Sequence, residues 1–362
     1  VDDLQSVQSV SMLNFFKSRK KVASAAVAAA AAAVEDAVVC FHQGQLPCAG
    51  CGRQFPIDSA KALTVDHCPY CNGPNLVPMR VAGFWLFSPL GAGAMGAVYK
   101  AYHDDRQGEL FAVKILPREG KDDPHLIDNL TREAEVTRAI SGHPCVAKLV
   151  DAGFMDGEHY LTTEFIVGER LDNRIARLGK IPMTEVLLIG LRLLAAETHI
   201  YNCGYLYRDM KPGNVMIPED RGAVLYDYGI AQPLNTARFH VSDEFDGTPL
   251  YFPPERVLGT GEQASSEIYS LGLVLFHAAS GFSYMDPSVT AGEIQSIARR
   301  HLSGIRSGME LKAVQPPDLA AVIGKMIQRE PWQRYQSFVE AENAFLELLQ
   351  SNVLGRVEAP EA

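Results

Sequence analysis

Tyr207-Arg208-Asp209-Met210-Lys211-Pro212-Gly213-Asn214, with Asp227-Tyr228-Gly229 beginning thirteen residues after Asn214, is the stretch on which the reading of this chain turns. It follows an apolar, helix-like segment over Glu185–Asn202 and runs into the apolar Val215-Met216-Ile217. Both signs of charge, a proline, a glycine and an asparagine between two apolar elements mark a shaped loop. Taken singly, each polar residue has an ordinary reading: Asp209 as a turn residue, Asn214 as a helix cap, Asp227 as a loop carboxylate. The loop has to be read together with what lies upstream.

There, Leu90-Gly91-Ala92-Gly93-Ala94-Met95-Gly96-Ala97-Val98 carries the spacing GxGxxG. Lacking a Cβ, glycine lets backbone N–H groups approach phosphate oxygens. A dinucleotide-binding fold uses the same spacing but needs a helix directly after the loop. Here Val98-Tyr99-Lys100-Ala101-Tyr102 continues as a strand, Arg106-Gln107-Gly108-Glu109 makes a turn, and Leu110 to Leu116 forms a second apolar strand. The pattern favours a hairpin lid over phosphates, with a plain glycine-rich turn as the alternative. Lys114 sits inside the second strand, where a charge calls for a partner. Glu133, on a helical stretch over Leu126–Ile140, is the first candidate and Glu135 the second. Such a pair would hold the ammonium against nucleotide phosphates.

In this order and spacing the motifs resemble the eukaryotic-type (Hanks-type) protein kinase family, bacterial serine/threonine branch, over about Phe84 to Leu349. The resemblance implies a serine/threonine protein kinase that passes the ATP γ-phosphate to protein hydroxyls and also to itself, with ATP and Mg²⁺ (or Mn²⁺) as cofactors. It assigns the substrate hydroxyl to Asp209, charge compensation to Lys211, and the metal to Asn214 and Asp227. Lys114, held by Glu133, takes the α- and β-phosphates. Gly91, Gly93, Gly96, Val98 and Ala112 cover the nucleotide, Thr163 guards the back of the adenine pocket, and Glu164 to Ile166 form the hinge. Within Gly247-Thr248-Pro249-Leu250-Tyr251-Phe252-Pro253-Pro254-Glu255, Thr248 bridges Asp209 and Lys211, and Glu255 pairs with Arg334. Lysine two residues after Asp209 disfavours tyrosine specificity.

Four positions depart from the family pattern: Tyr207 for histidine, Tyr228 for phenylalanine, Pro253 for alanine and Glu267 for aspartate. The Tyr228 hydroxyl needs a partner. The extra methylene of Glu267 threatens the hydrogen bond that ties the loop to the helix behind it. Arg208 calls for an anion, supplied either by phosphorylation at Thr236 or Ser242 or by Asp243, Glu244 and Asp246.

Around this core the organisation is α+β, a strand-rich front followed by a helix-rich back. Further helices are expected over Ile268–Ser280, Ile294–Leu302, Leu319–Ile327 and Ser337–Leu349. The expected division is a low-complexity segment 1–45, a cysteine module 46–80, a kinase domain 81–350 with lobes meeting at about 166/167, and a tail 351–362. Cys48-Ala49-Gly50-Cys51 and Cys68-Pro69-Tyr70-Cys71 enclose sixteen residues, the spacing of a four-cysteine structural zinc ribbon. So short a module draws most of its folding energy from the metal. His42 and His67 are spare ligands, and Cys145 and Cys203 read as core residues.

The 362 residues carry 33 basic and 43 acidic side chains, a formal net charge of -10, which disfavours nucleic acid as a partner. No apolar run is long enough to span a bilayer. The alanine-rich Val22 to Val34, after Lys17, Arg19, Lys20 and Lys21, reads as a helix or tether ahead of a secretion signal, and Met12 is a candidate start. A cytoplasmic location, protein substrates and a protein docking partner on the zinc ribbon are the expectation. A catalytically weak pseudokinase scaffold and a zinc-ribbon adaptor are the competing readings.

Overall fold

The computed structural model describes residues 38–58, 61–93, 95–237, 249–284 and 311–357. The alanine-rich segment, Thr248, Ser242, Asp243, Glu244, Asp246 and the expected helix Ile294–Leu302 lie outside the described residues. The chain divides into two compact units, one of residues 1–138 and 148–167, the other of residues 139–147 and 168–362.

The first unit is built on a six-stranded antiparallel sheet of β5 (Met79–Val81), β6 (Phe84–Gly93), β7 (Gly96–His103), β8 (Arg106–Ile115), β9 (Leu149–Met155) and β10 (Glu158–Glu164). Their order in the sheet is β5-β6-β7-β8-β10-β9. Side chains alternate across a strand, so β8 sends Phe111, Val113 and Ile115 to one face. There they join Phe84, Leu86, Ala101 and Tyr160 in a core that also takes Leu63 and Met79. Ala112 and Lys114 fall on the opposite face. Over that face the helix Pro124–Ile140 packs Leu130 and Ala134 against Leu116 and Leu161. The hairpin foreseen over Val98 to Leu116 and the helix at Leu126–Ile140 are present, but the turn falls at Asp104-Asp105 and Arg106 to Glu109 already belong to β8.

The cysteine module consists of two short antiparallel pairs, β1 (Gln45–Pro47) with β2 (Gln54–Pro56) and β3 (Val65–His67) with β4 (Pro74–Leu76). It is not an independent body. Val38, Phe41, Leu46, Phe55, Cys48 and Cys68 share one buried cluster with Tyr102, against which Trp85 and Phe87 pack. Residues 38–42 are helical, and Val38 and Phe41 are buried ahead of the boundary expected at 46. Asp104 binds the Trp85 indole N–H (2.9 Å), Arg80 (2.7 Å) and the His42 ring (2.8 Å). The Arg118 guanidinium donates to the Ala62 carbonyl. Buried apolar side chains of this size stabilise by about 1.5–3 kcal/mol each, so the shared cluster ties module and sheet together.

In the second unit the helices Met183–Asn202, Ala264–Ser280, Pro317–Met326 and Phe338–Val357 pack together. The Ala264–Ser280 helix is buried nearly all round, as an apolar helix at the centre of a bundle must be. At Gly190 a Cβ would lie 2.5 Å from the Phe345 ring, so only glycine admits that close crossing. The final helix begins where expected and runs further, to Val357. The short helix Leu171–Leu178 had no counterpart in the sequence reading. Two small sheets, β11 (Glu169–Arg170) with β13 (Val215–Ile217) and β14 (Val224–Leu225), and β12 (Tyr205–Leu206) with β15 (Gln232–Pro233), frame the loops that carry Asp209 and Asp227.

Candidate active site and cysteine cluster

The first unit holds a glycine hairpin and a buried lysine. β6 and β7 pair down to Gly93 opposite Gly96, so the glycine segment is a hairpin, not a loop leading into a helix. A Cβ on Gly96, whose φ is +135°, would sit 2.4 Å from the Ile115 carbonyl oxygen, whereas Gly91 and Gly93 face open space. The hairpin thus needs one glycine for its own geometry and keeps two where a ligand can approach. Lys114 donates to Glu133 Oε2 at 2.6 Å, with side chains 14% and 7% exposed. Glu133, and not Glu135, is the partner, because the helix residues Leu130 and Ala134 dock on the sheet and Glu133 lies on the same side. Val98 is the cross-strand neighbour of Lys114, and Ala112 that of Thr163, so these four share one sheet face. Glu164 donates its backbone N–H to the Lys148 carbonyl (3.0 Å) and accepts the Lys148 N–H on its carboxylate (3.1 Å). Ile166 is buried.

The second unit holds a hydrogen-bonded cluster around Asp209. Asp209 Oδ2 accepts from Lys211 Nζ (2.7 Å) and Asn214 Nδ2 (2.7 Å), and Asn214 Nδ2 also reaches the Asp209 carbonyl (3.1 Å). Lys211 and Asn214 thus both donate to one carboxylate oxygen, Oδ2 of Asp209. Burial pushes the Asp209 carboxyl above the usual range, and the charge of Asp227 adds to this, although Lys211 and Asn214 pull it back. Arg208 and Asp227 both have left-handed backbones, φ +69° and +67°. Such conformations cost free energy in a non-glycine residue and cluster at working sites. Asp227 is exposed, and its Oδ1 lies 3.4 Å from the Gly229 N–H.

The tyrosines that depart from the family pattern are satisfied. Tyr228 donates its hydroxyl to the Leu225 carbonyl (2.7 Å) and accepts the Ala147 N–H (2.9 Å). Tyr207 donates to the Tyr226 carbonyl (2.8 Å), and Tyr226 to the Gly213 carbonyl. The longer Glu267 still reaches the Arg208 N–H, at 3.0 Å. Glu255 and Arg334 form a buried pair at 2.7 and 2.9 Å. Sequence reasoning missed Glu262, whose carboxylate takes Arg208 on Oε1 and Arg256 on Oε2. Its signal was slight: one acidic residue in Gly259-Thr260-Gly261-Glu262, just ahead of a helix.

In the module, the sulfurs of Cys48, Cys51, Cys68 and Cys71 all lie within 4.8 Å of one another. Cys48 and Cys71 are 3.5 Å apart, Cys51 and Cys68 3.8 Å. Sulfurs at about 2.3 Å from a tetrahedral zinc are separated by about 3.8 Å, so the donor set fits the ion in number, chemistry and spacing. The N–H groups of Cys51 and Gly50, with Asn75, hold the Cys48 thiol down at about 6. For Cys71 the Gly73 N–H also pulls down, but the neighbouring sulfurs outweigh it and push that thiol up to about 12. Asn75, itself buried, ties the knuckles together through the Ala49 N–H (2.8 Å) and the Gly73 carbonyl (2.8 Å). His42 is engaged with Asp104 and His67 is exposed, so neither is needed as a ligand. Cys145 is buried, and burial pushes its thiol up.

Three comparisons bear on this arrangement. The family described as "Protein kinase domain" matches residues 84–347. The serine/threonine-protein kinase PknA of Mycobacterium tuberculosis is 32% identical over 257 residues, 68% of this chain and 57% of that protein. AfsK of Streptomyces griseus, also a serine/threonine-protein kinase, is 30% identical over 254 residues, 70% of this chain and 30% of that one. This chain thus spans about half the length of PknA and less of AfsK. The crystal structure of the M. tuberculosis PknI kinase domain superposes with a TM-score of 0.55 at 26% identity, covering 74% of this chain and 96% of that one. A strand-rich first unit, a helix-rich second unit, the family match and these relatives agree, and the chain belongs to the protein kinase domain family.

Proposed function

We propose that this chain is an ATP- and Mg²⁺-dependent serine/threonine protein kinase, and the observation that carries the reading is the hydrogen-bonded set Asp209–Lys211–Asn214. When bound, ATP supplies the phosphoryl group and Mg²⁺ neutralises its charge. Asn214 Oδ1 and the exposed Asp227 carboxylate are oxygen donors of the kind Mg²⁺ prefers. Lys114, oriented by Glu133, binds the α- and β-phosphates beneath the glycine hairpin. Asp209 Oδ1 accepts the proton of a serine or threonine hydroxyl, and its raised affinity for protons suits that role. Lys211 Nζ stabilises the negative charge that gathers during transfer.

The four cysteines hold a structural Zn²⁺ in the same reading. Among the described residues no helix is long and apolar enough to cross a membrane, which is consistent with a cytoplasmic location. The exposed Val65 and Tyr70 favour a second use of the module, as a docking surface for a protein partner.

The test is transfer from radiolabelled ATP to a generic protein substrate, comparing wild type with Asp209→Asn. Magnesium-dependent label on serine and threonine, reduced at least about a hundredfold by the substitution, is expected. Equal labelling by both proteins, or none by wild type, defeats the proposal and favours the scaffold reading.

A further inference from the structure

Arg208 immediately precedes Asp209, is only 7% exposed and has a left-handed backbone. A non-glycine residue keeps that conformation only when its surroundings over-determine it. Here one segment, Arg256 to Glu267, supplies the restraints. Glu267 accepts the Arg208 N–H at 3.0 Å, and Arg256 Nη1 donates to the Arg208 carbonyl at 2.8 Å. Glu262 Oε1 accepts Arg208 Nε (2.9 Å) and lies 2.7 Å from Arg208 Nη2 as an ion pair, while Glu262 Oε2 accepts Arg256 Nε (2.9 Å) and Nη2 (2.6 Å). The side chains of Arg208, Glu262 and Arg256 are 6%, 5% and 6% exposed. Arg256 also stacks on the Phe252 ring at 4.6 Å, and the Glu262 N–H bonds to the Ala237 carbonyl at 2.9 Å.

A carboxylate bridging two buried guanidiniums through three charge-assisted hydrogen bonds and a further close ion-pair contact is costly to displace. We infer that Glu262 is the positioning residue of the catalytic loop: it is the built-in anion of Arg208, and it holds Asp209 in register without a phosphate on Thr236 or Ser242. The inference rests on the kinase reading and deepens it. An incoming phosphate would have to expel Glu262 from its buried seat to take over the Nε–Nη2 edge of Arg208. On this inference the anion that Arg208 calls for is the Glu262 carboxylate, and neither a loop phosphate nor Asp243, Glu244 and Asp246 is required for the role.

The experiment uses the full chain, with wild type and Asp209→Asn run first; absence of transfer by wild type ends the kinase reading itself. Wild type is then stripped with a protein phosphatase, checked by intact mass, and assayed for initial rate before any phosphate returns. The double variant Thr236→Ala/Ser242→Ala is assayed beside it. Both are expected within about twofold of untreated wild type. Glu262→Gln keeps shape but removes the charge, and is expected to lose about ten- to a hundredfold in kcat, the scale of an ångström-sized misplacement. Its KM for ATP should stay within about threefold, because the glycine hairpin and Lys114 are untouched. Glu262→Asp is expected to recover part of the loss. A tenfold or greater fall in rate on phosphatase treatment or in the Thr236→Ala/Ser242→Ala variant overturns the inference, and so does a Glu262→Gln variant with wild-type kcat. The phosphatase arm decides the matter even if Glu262→Gln fails to fold.

Discussion

Replacing Arg334 should be among the most destabilising single changes in the second unit. Its side chain is 0% exposed, and its five N–H bonds are all made. Nε donates to the Gln328 carbonyl (2.7 Å), Nη1 to Glu255 (2.7 Å) and the Ser265 carbonyl (2.9 Å), and Nη2 to Glu255 (2.9 Å) and the Arg329 carbonyl (2.7 Å). A guanidinium has five donors, so the site is saturated. The guanidinium also stacks on the Tyr269 ring at 4.7 Å. Arg334→Met leaves the buried Glu255 carboxylate to Ser266 Oγ (2.9 Å) and strands three carbonyls. Removing one partner of a buried pair costs about 3–5 kcal/mol. The stranded carbonyls add to this only as far as water and local relaxation fail to satisfy them, so a loss of about 3–5 kcal/mol is expected. In a domain of this size that is a fall in Tm of roughly 6–20 °C. Arg334→Lys keeps the charge but offers three donors for five acceptor contacts, and is expected to recover less than half the loss. The assay is thermal unfolding followed by circular dichroism, run as a cycle with Glu255→Gln and the double variant. Because each single change orphans the other group, the double should cost less than the sum by at least about 2 kcal/mol. A fall in Tm below about 3 °C for Arg334→Met, or additive single effects, refutes the reasoning.

The cysteine cluster predicts about one zinc per chain by elemental analysis, lost in Cys48→Ser. Because Trp85 packs against the module's buried cluster, chelation should red-shift its emission in a Trp332→Phe background and lower Tm by at least about 5 °C; unchanged emission would show that the module and the sheet are uncoupled. Glu197 and Glu267 form a fully buried acidic pair. Burial, with the charge of Glu262, pushes Glu267 up to about 7, and burial with the charge of Glu267 pushes Glu197 well above the carboxylate range. A raised folded-state value means the native protein holds a proton that the unfolded chain releases. That contribution is full below about 4.5 and is lost as pH rises through about 7. Tm should therefore fall between pH 5.5 and 8 more steeply in wild type than in Glu197→Gln, whose amide can donate to Glu267. Parallel Tm–pH curves would remove the shared-proton account.

Much of this protein was legible in its one-dimensional order, wherever a short spacing dictates a local backbone. The hairpin after the glycines could be told from a helix because Val98 to Tyr102 continues as a strand. Lys114 on β8 announced a partner on the next helix, and two CxxC pairs announced four converging sulfurs. Tertiary structure alone decided the contacts whose partners are remote in the chain and carry no pattern of their own. Nothing in Val38 or Phe41 says that they will bury themselves with Trp85 and Tyr102, and so join the cysteine module to the sheet. Nor does anything in Gly259-Thr260-Gly261-Glu262 say that this glutamate will meet Arg208. A strand, a hairpin or a CxxC knuckle is set mostly by residues a few positions away and is written there. A buried charge is met by whichever opposite charge the packed core brings within about 3 Å, and only the folded chain determines which one that is.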